Sequence, residues 1–200
     1  AAIITNAAGA SVVKHGNRAA SSKSGSADLL EALGIKIDLT GAEVEQTVHK
    51  IGIGFCFAPI FHSSMRHAVA ARKELGVPTV FNILGPLANP AKPVAAAIGV
   101  ARVELLSLMA QVLLDQGKEG FIFRGDDGLD EVSLSSTTTV IQISKGKLKQ
   151  EVFNPAELGI PTAPISALAG GDAKYNAQMT NQIFSGKTGA MRDEIGRAHV

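Results

Sequence analysis

Apolar runs of strand length alternate along this chain with segments of helical spacing, and that alternation leaves few folds open. The runs fall at residues 10–13, 52–58, 78–82, 95–100, 120–124 and 138–144. Several are continuous rather than alternating in polarity, as in strands covered on both faces. Residues 27–33, 40–51, 65–75 and 103–116 carry the helical spacing. Ser26-Ala27-Asp28 suits a helix start and Gly34 a stop, while Gly76 and Pro78 close the helix over 65–75. Late in the chain, residues 138–144 and 147–153, joined by Lys145-Gly146, spell a hairpin. The expected fold is α/β: a mixed, mostly parallel sheet flanked by helices.

Composition narrows the function classes. A chain of 200 residues has room for one sizeable domain. A formal charge of +1, no Trp and 4% aromatic residues give neither an electrostatic footprint for a polyanion nor a base-stacking surface, so no nucleic-acid partner is expected. The lone Cys56 excludes an internal disulfide and points to a reducing, cytoplasmic setting. No apolar run reaches membrane-span length and no signal peptide opens the chain, so no membrane partner is expected either. The opening AAIITNAAGASVV reads as the end of a helix already under way, which places the true N-terminus upstream as an expectation.

Three stretches carry chemistry. KHGNRAASSKSGSAD, Lys14 to Asp28, has almost nothing to bury, yet it follows an apolar run. Small residues after a strand let backbone N–H groups approach a ligand, and Ser21, Ser22, Ser24 and Ser26 add hydroxyls while Lys14 and Lys23 add charge. That mixture suits a phosphate or pyrophosphate; a solvated Ser/Gly loop is the plain alternative. The glycine spacing fits neither a P-loop nor a dinucleotide fingerprint.

In APIFHSSMRHAVAARKELG, Arg72 falls seven residues after Met65, so the two share a helix face. A guanidinium there could grip a small carboxylate in a bidentate pair, or simply sit in water. RGDDGLDEVS places four carboxylates in six positions after a buried strand, a hard-oxygen set suited to Mg2+. Asp126-Asp127-Gly128 is equally a turn signal, which leaves Asp130 and Glu131, expected where a new element begins, as the candidate ligands. Two carboxylates leave most of a Mg2+ shell to phosphate and water, so the pair makes best sense beside the phosphate loop. FNILGPLANP reads as a rigid loop at a sheet rim, residues 135–139 as strand surface, and the histidines are too scattered for a metal motif.

KHGNRAASSKSGSAD, joined to VPTVFNILGPLANP and GDDGLDE, resembles the anthranilate phosphoribosyltransferase family, and the resemblance runs from about Ala1 to about Asp193. It implies transfer of phosphoribose from phosphoribosyl pyrophosphate to the amine of anthranilate in tryptophan biosynthesis, with Mg2+ as cofactor. It also implies a cytoplasmic homodimer built on a nucleoside phosphorylase/phosphoribosyltransferase-like catalytic domain. By position, Lys14, His15, Gly16, Asn17, Arg18, Ser21, Ser22 and Ser26 match the part that binds phosphoribosyl pyrophosphate. Asn17 and His15 also match the anthranilate site; Arg72 matches the arginine holding the anthranilate carboxylate, and Pro59 and Met65 the apolar wall of its channel. Asp130 and Glu131 match the acidic pair that organises Mg2+. No residue is assigned as general base.

The pattern departs from the family at both ends. The family's helical N-terminal domain, its GTGGD loop and a NIST-like segment are absent, and with half the donor site gone the 200-residue chain alone is expected to be inactive. Residues 1–193 read as a partial phosphoribosyltransferase domain. The remaining seven, EIGRAHV, are also the translation of GAGATCGGAAGAGCACACGTC, common sequencing-adapter DNA, and are expected to be a non-native tail. Two rivals stand beside the transferase: a pyrimidine nucleoside phosphorylase-like enzyme, and a non-catalytic relative that binds a ligand or nucleic acid. The HGN after Lys14 and Arg72 favour anthranilate over the first; the near-neutral charge and the acidic pair weigh against the second.

Overall fold

The computed structural model describes residues 1–19, 22–65, 67–68, 74–75, 77 and 79–197, with side chains at 81, 82, 196 and 197 left out. In chain order the first elements are α1 (Ala2–Ala7), β1 (Val12–Gly16), α2 (Ser26–Ala32), α3 (Gly41–Ile51), β2 (Ile53–Phe57), α4 (Ala58–Phe61) and α5 (Phe81–Leu87). There follow β3 (Ala95–Gly99), α6 (Leu106–Asp115), β4 (Glu119–Gly125), β5 (Thr138–Ser144), β6 (Lys147–Phe153), α7 (Ala173–Phe184) and α8 (Ala190–Arg197). They form two compact units, one of residues 2–92 and 170–184, the other chiefly of 93–169 and 185–200.

In the first unit β1 and β2 pair in parallel, from Val12 opposite Ile53 to Gly16 opposite Phe57, so the chain leaves both strands at the same end. The crossover between them is helical, as a parallel pair requires. Its α3 begins at a reciprocal cap: Thr40 Oγ1 accepts from the Glu43 N–H at 3.3 Å, and Glu43 Oε2 accepts from the Thr40 N–H at 2.8 Å. It stops at Gly52, left-handed at φ 77, one residue before β2. Ala27, Ile37 and Phe55 form a buried cluster, with Leu30 and Phe57 against it, and α2 also packs on α7.

Among the described residues of the strand expected over 78–82, namely 79–82, none is in a strand. Its described C-terminal part opens α5, which keeps Pro86 inside and ends one residue later. FNILGPLANP is thus largely helix rather than rim loop: Ile83 and Leu87 sit four apart, and Leu87 is buried. Of the helix expected over 65–75, the described residues 67–68 and 74–75 are helical.

The second unit is a four-stranded sheet in the order β3-β4-β5-β6. β3 and β4 are parallel, whereas β4–β5 and β5–β6 are antiparallel. Strand pairing among the described residues is therefore mixed, two pairs of each kind, and divided between two sheets. The expected hairpin closes through Lys145 at φ 50 and Gly146 at φ 71, the two left-handed residues of a type I′ turn. Helix α6 packs on β4 and β5 and buries Met109, Ala110 and Leu113 in a unit whose other buried residues include Ile98, Ile122, Leu134, Ile141 and Ile143. A separate 3-10 turn, Val103–Leu105, precedes it where one continuous helix was expected. No helix among the described residues is long and apolar enough to cross a membrane.

Candidate functional site

The serine-rich stretch joins β1 to α2 and is closed on itself. Asp28 Oδ2 accepts from the Gly25 N–H at 2.8 Å and the Ala19 N–H at 2.9 Å, and the Asn17 carbonyl accepts from the Ala27 N–H at 3.2 Å. Those two amide bonds, then Arg18 nearby, hold the Asp28 carboxyl below the usual carboxylate range. Two glycines make the closure possible. A Cβ on Gly25 would lie 2.6 Å from the Arg18 carbonyl carbon, and one on Gly16 would lie 2.9 Å from the Phe55 ring.

Arg18 grips Glu31 in a bidentate pair, lies 3.6 Å from Asp28 and stands 5.5 Å over the Phe57 ring. Its fork is engaged within the protein, a role the sequence does not announce. Lys14, Asn17 and Ser22 are exposed, and Ser22 Oγ donates to the Ser24 carbonyl. Ser26 is the first residue of α2 and points its hydroxyl toward the Asn17 carbonyl. Ser21 and Arg72 lie outside the described residues.

At the shared end of β1 and β2 the second group assembles. His15 on β1 and His62, just after α4, meet edge to face with ring centroids 4.8 Å apart. His15 Nδ1 faces the Gly85 carbonyl at 3.1 Å, and Asn89 Nδ2 donates to the Val13 carbonyl at 2.9 Å, so α5 and the turn after it are tied to β1. A ring nitrogen facing a carbonyl carries the proton, which leaves Nε2 of neutral His15 as an acceptor. The Nε2 atoms of His15 and His62 are both buried with no hydrogen-bond partner among the described residues. Pro59 lies in α4, exposed, and Met65 ends the following 3-10 turn, half-buried. The sequence singles out His15, Pro59 and Met65 but not His62, Gly85 or Asn89, whose roles depend on contacts across up to 76 positions of chain.

Burial first, then the neighbouring His62, lowers the affinity of His15 for a proton, against the pull of the Gly85 carbonyl. With the folded value below the ordinary 6.5, the unfolded chain binds the proton more readily, so stability present above pH 6.5 is lost as pH falls below it. Melting temperature should therefore drop on acidification through that region, and His15→Gln should flatten that part of the profile. Parallel profiles for the two proteins would show that His15 stays unlinked to folding.

The acidic stretch lies in the other unit. β4 ends at Gly125, β5 begins opposite it at Thr138, and residues 126–137 loop between them. Asp126 accepts from the hydroxyls of Thr137 and Thr139. Asp127 accepts from the hydroxyls of Ser133 and Ser135 and from the Leu129 N–H at 3.1 Å. Burial works to raise the Asp127 pKa, but those hydrogen bonds together outweigh it and hold the carboxyl below the usual range. Asp126 and Asp127 thus serve the turn. The serines read as strand surface serve it too: 135–137 are loop, and Thr138 is fully buried.

Asp130 and Glu131 are exposed in the middle of this loop, not at the start of a new element. Among the described residues no three His, Cys, Asp or Glu side chains converge as a metal centre. Two hard-oxygen groups on a pinned loop nevertheless fit Mg2+, which uses one or two carboxylates and takes the rest of its shell from phosphate and water.

The model of the glycosyl transferase family, a/b domain, matches residues 1–197. The chain belongs to that family. It is 51% identical over 195 residues to an anthranilate phosphoribosyltransferase of Rhodococcus jostii (strain RHA1), covering 98% of this chain and 54% of the relative. The crystal structure of anthranilate phosphoribosyltransferase from Thermus thermophilus superposes with a TM-score of 0.90 at 42% identity, covering 97% of this chain and 58% of that one. A Saccharomyces cerevisiae anthranilate phosphoribosyltransferase in complex with PRPP and Mg gives a TM-score of 0.84 at 34% identity, over 92% of this chain and 52% of that one. The α/β fold expected of a glycosyl transferase domain is thus found, in a chain that spans about half the length of the curated relatives it matches.

Proposed function

We propose that this domain transfers phosphoribose from phosphoribosyl pyrophosphate to the amine of anthranilate, with release of pyrophosphate, a step of tryptophan biosynthesis. The observation that carries the proposal is the pair of buried imidazole nitrogens, without a hydrogen-bond partner among the described residues, beside the opening of the serine loop. A neutral His15 Nε2 is a hydrogen-bond acceptor, and an aromatic amine is a donor able to fill it. A buried acceptor without a partner is costly, so its presence argues for a ligand that satisfies it.

Bond breaking at the ribose anomeric carbon leaves positive charge on the sugar and negative charge on the departing pyrophosphate. Lys14, exposed on β1 just before the serine loop, would offset the latter together with the hydroxyls of Ser22 and Ser26. Bound through Asp130 and Glu131, Mg2+ would supply charge stabilisation to a pyrophosphate group. The weakly basic amine needs positioning more than activation; His15, Asn17 and Arg72 would supply it, with Pro59 and Met65 as the apolar wall. Ser21 and Arg18 belong to the stretch that takes the donor and Gly16 ends β1 just before it, Arg18 acting by holding that stretch closed on Glu31 and Asp28. A homodimer in the cytoplasm, with small-molecule substrates only, completes the proposal. Residues 194–200 are proposed to be adapter-derived, although α8 runs through Arg197; a genomic reading frame continuing through Val200 would overturn that.

The test supplies anthranilate, phosphoribosyl pyrophosphate and Mg2+ to a polypeptide that carries this domain at its relatives' full length. Loss of anthranilate fluorescence is expected. Stable fluorescence, with phosphorolysis of a pyrimidine nucleoside instead, would replace the transferase with its phosphorylase rival.

A further inference from the structure

We propose that Asp127 is a positioning residue whose carboxylate, with Gly99 behind the loop, presents Asp130 and Glu131 to the metal. This rests on the Mg2+ role given to that pair above. The loop of residues 126–137 has no helix or strand of its own; backbone bonds close its neck, from the Asp126 N–H to the Thr137 carbonyl and from the Gly128 N–H to the Gly125 carbonyl, both at 2.9 Å, and the rest of its shape is held by side-chain bonds. Asp127 supplies them from one carboxylate. Its Oδ1 takes the Leu129 N–H, and its Oδ2 takes the hydroxyls of Ser133 and Ser135, spanning the acidic pair on both sides. Leu129 is held twice, because its carbonyl also accepts from the Gly125 N–H at 2.9 Å. Ser133 is held again where its N–H meets Thr138 Oγ1 at 3.0 Å inside the core.

From behind, the Asp130 backbone lies so close to β3 that a Cβ on Gly99 would come within 2.6 Å of the Asp130 carbonyl carbon. The residues flanking Asp130 and Glu131 are therefore fixed while the two carboxylates stay exposed. Outer groups that orient ligands cost about 10- to 100-fold in metal affinity when removed. Asp127 acts through the backbone rather than on the ligand oxygens, so about tenfold is expected.

The experiment titrates Mn2+ alone into the 200-residue chain and follows paramagnetic broadening of the Asp130 and Glu131 amides, beside hydrogen exchange at Leu129 and Ser135. Asp127→Ala should weaken Mn2+ binding about tenfold and strip protection from the loop amides, with β4 and β5 still protected. Ser135→Ala, an exposed change, should do the same more weakly and covers the case in which Asp127→Ala does not fold. Asp127→Asn, which keeps an acceptor for the Leu129 amide, should restore part of the affinity. Unchanged Mn2+ affinity once the loop amides lose protection would overturn the positioning role, as would protection that survives Asp127→Ala. The double change Asp130→Asn with Glu131→Gln tests the metal reading separately: broadening that persists there removes the pair as ligands, whatever Asp127 does.

Discussion

Gly120→Ala is expected to destabilise the four-stranded sheet by about 3–5 kcal/mol, among the largest effects a single substitution produces. Gly120 sits in β4 at φ 129, a backbone conformation that L side chains rarely adopt. A Cβ there would also collide with the carbonyl of Ala96 on the neighbouring parallel strand, lying 2.8 Å from its carbonyl carbon and from its nitrogen. Both obstacles are backbone, so no side chain can rotate away, and relief requires β3 and β4 to part beside Ile98 and Ile122 of the core. Thermal unfolding should show a melting temperature lower by roughly 10 °C. Gly146→Ala is the control. It is left-handed too, at φ 71, but a Cβ there meets open space, so only the conformational cost of about 1–2 kcal/mol applies. Equal losses from the two substitutions would show that the contact with Ala96 is not what makes glycine necessary.

Arg72→Ala should lower kcat/KM for anthranilate by about 30- to 1000-fold in a polypeptide of the relatives' length, leaving affinity for phosphoribosyl pyrophosphate nearly unchanged. The size is what losing the charge-assisted pair proposed between Arg72 and the acceptor carboxylate would cost, about 2–4 kcal/mol. Arg72→Lys should recover only part of the loss, since an ammonium keeps the charge but not the two-pronged geometry. Calorimetry with the donor alone separates the possibilities. A collapse of donor affinity would move Arg72 to the phosphate side and undo its assignment to the acceptor carboxylate.

Element by element, the apolar runs placed β1 to β5 to within a few residues, because a covered strand writes itself as a continuous apolar run, and the hairpin signal at Lys145-Gly146 placed the exposed β6. The caps of α3 and the I′ turn at Lys145-Gly146 were equally local and equally legible. The strand expected over 78–82 failed because a short apolar run fits helix or strand alike, and only packing chose α5.

The same division runs through the candidate site. Lys14, His15, the serine loop and the pair Asp130–Glu131 announce themselves by residue type, since phosphate and Mg2+ chemistry demand small, hydroxylic, basic or acidic groups at short spacing. What positions them does not. His62 meets His15 across 47 positions of chain, Gly85 and Asn89 reach β1 across 70 and 76, and Gly99 backs Asp130 from another strand. Arg18 is legible only as a match to a donor-binding position and Asp127 only as a turn residue, whereas Glu31 and the hydroxyls of Ser133 and Ser135 hold them within the protein. The sequence by itself determined which chemistry the chain can offer. Tertiary structure decided which polar groups are used up in holding it and which remain open, because a hydrogen bond depends on distance in space and leaves no period in the chain.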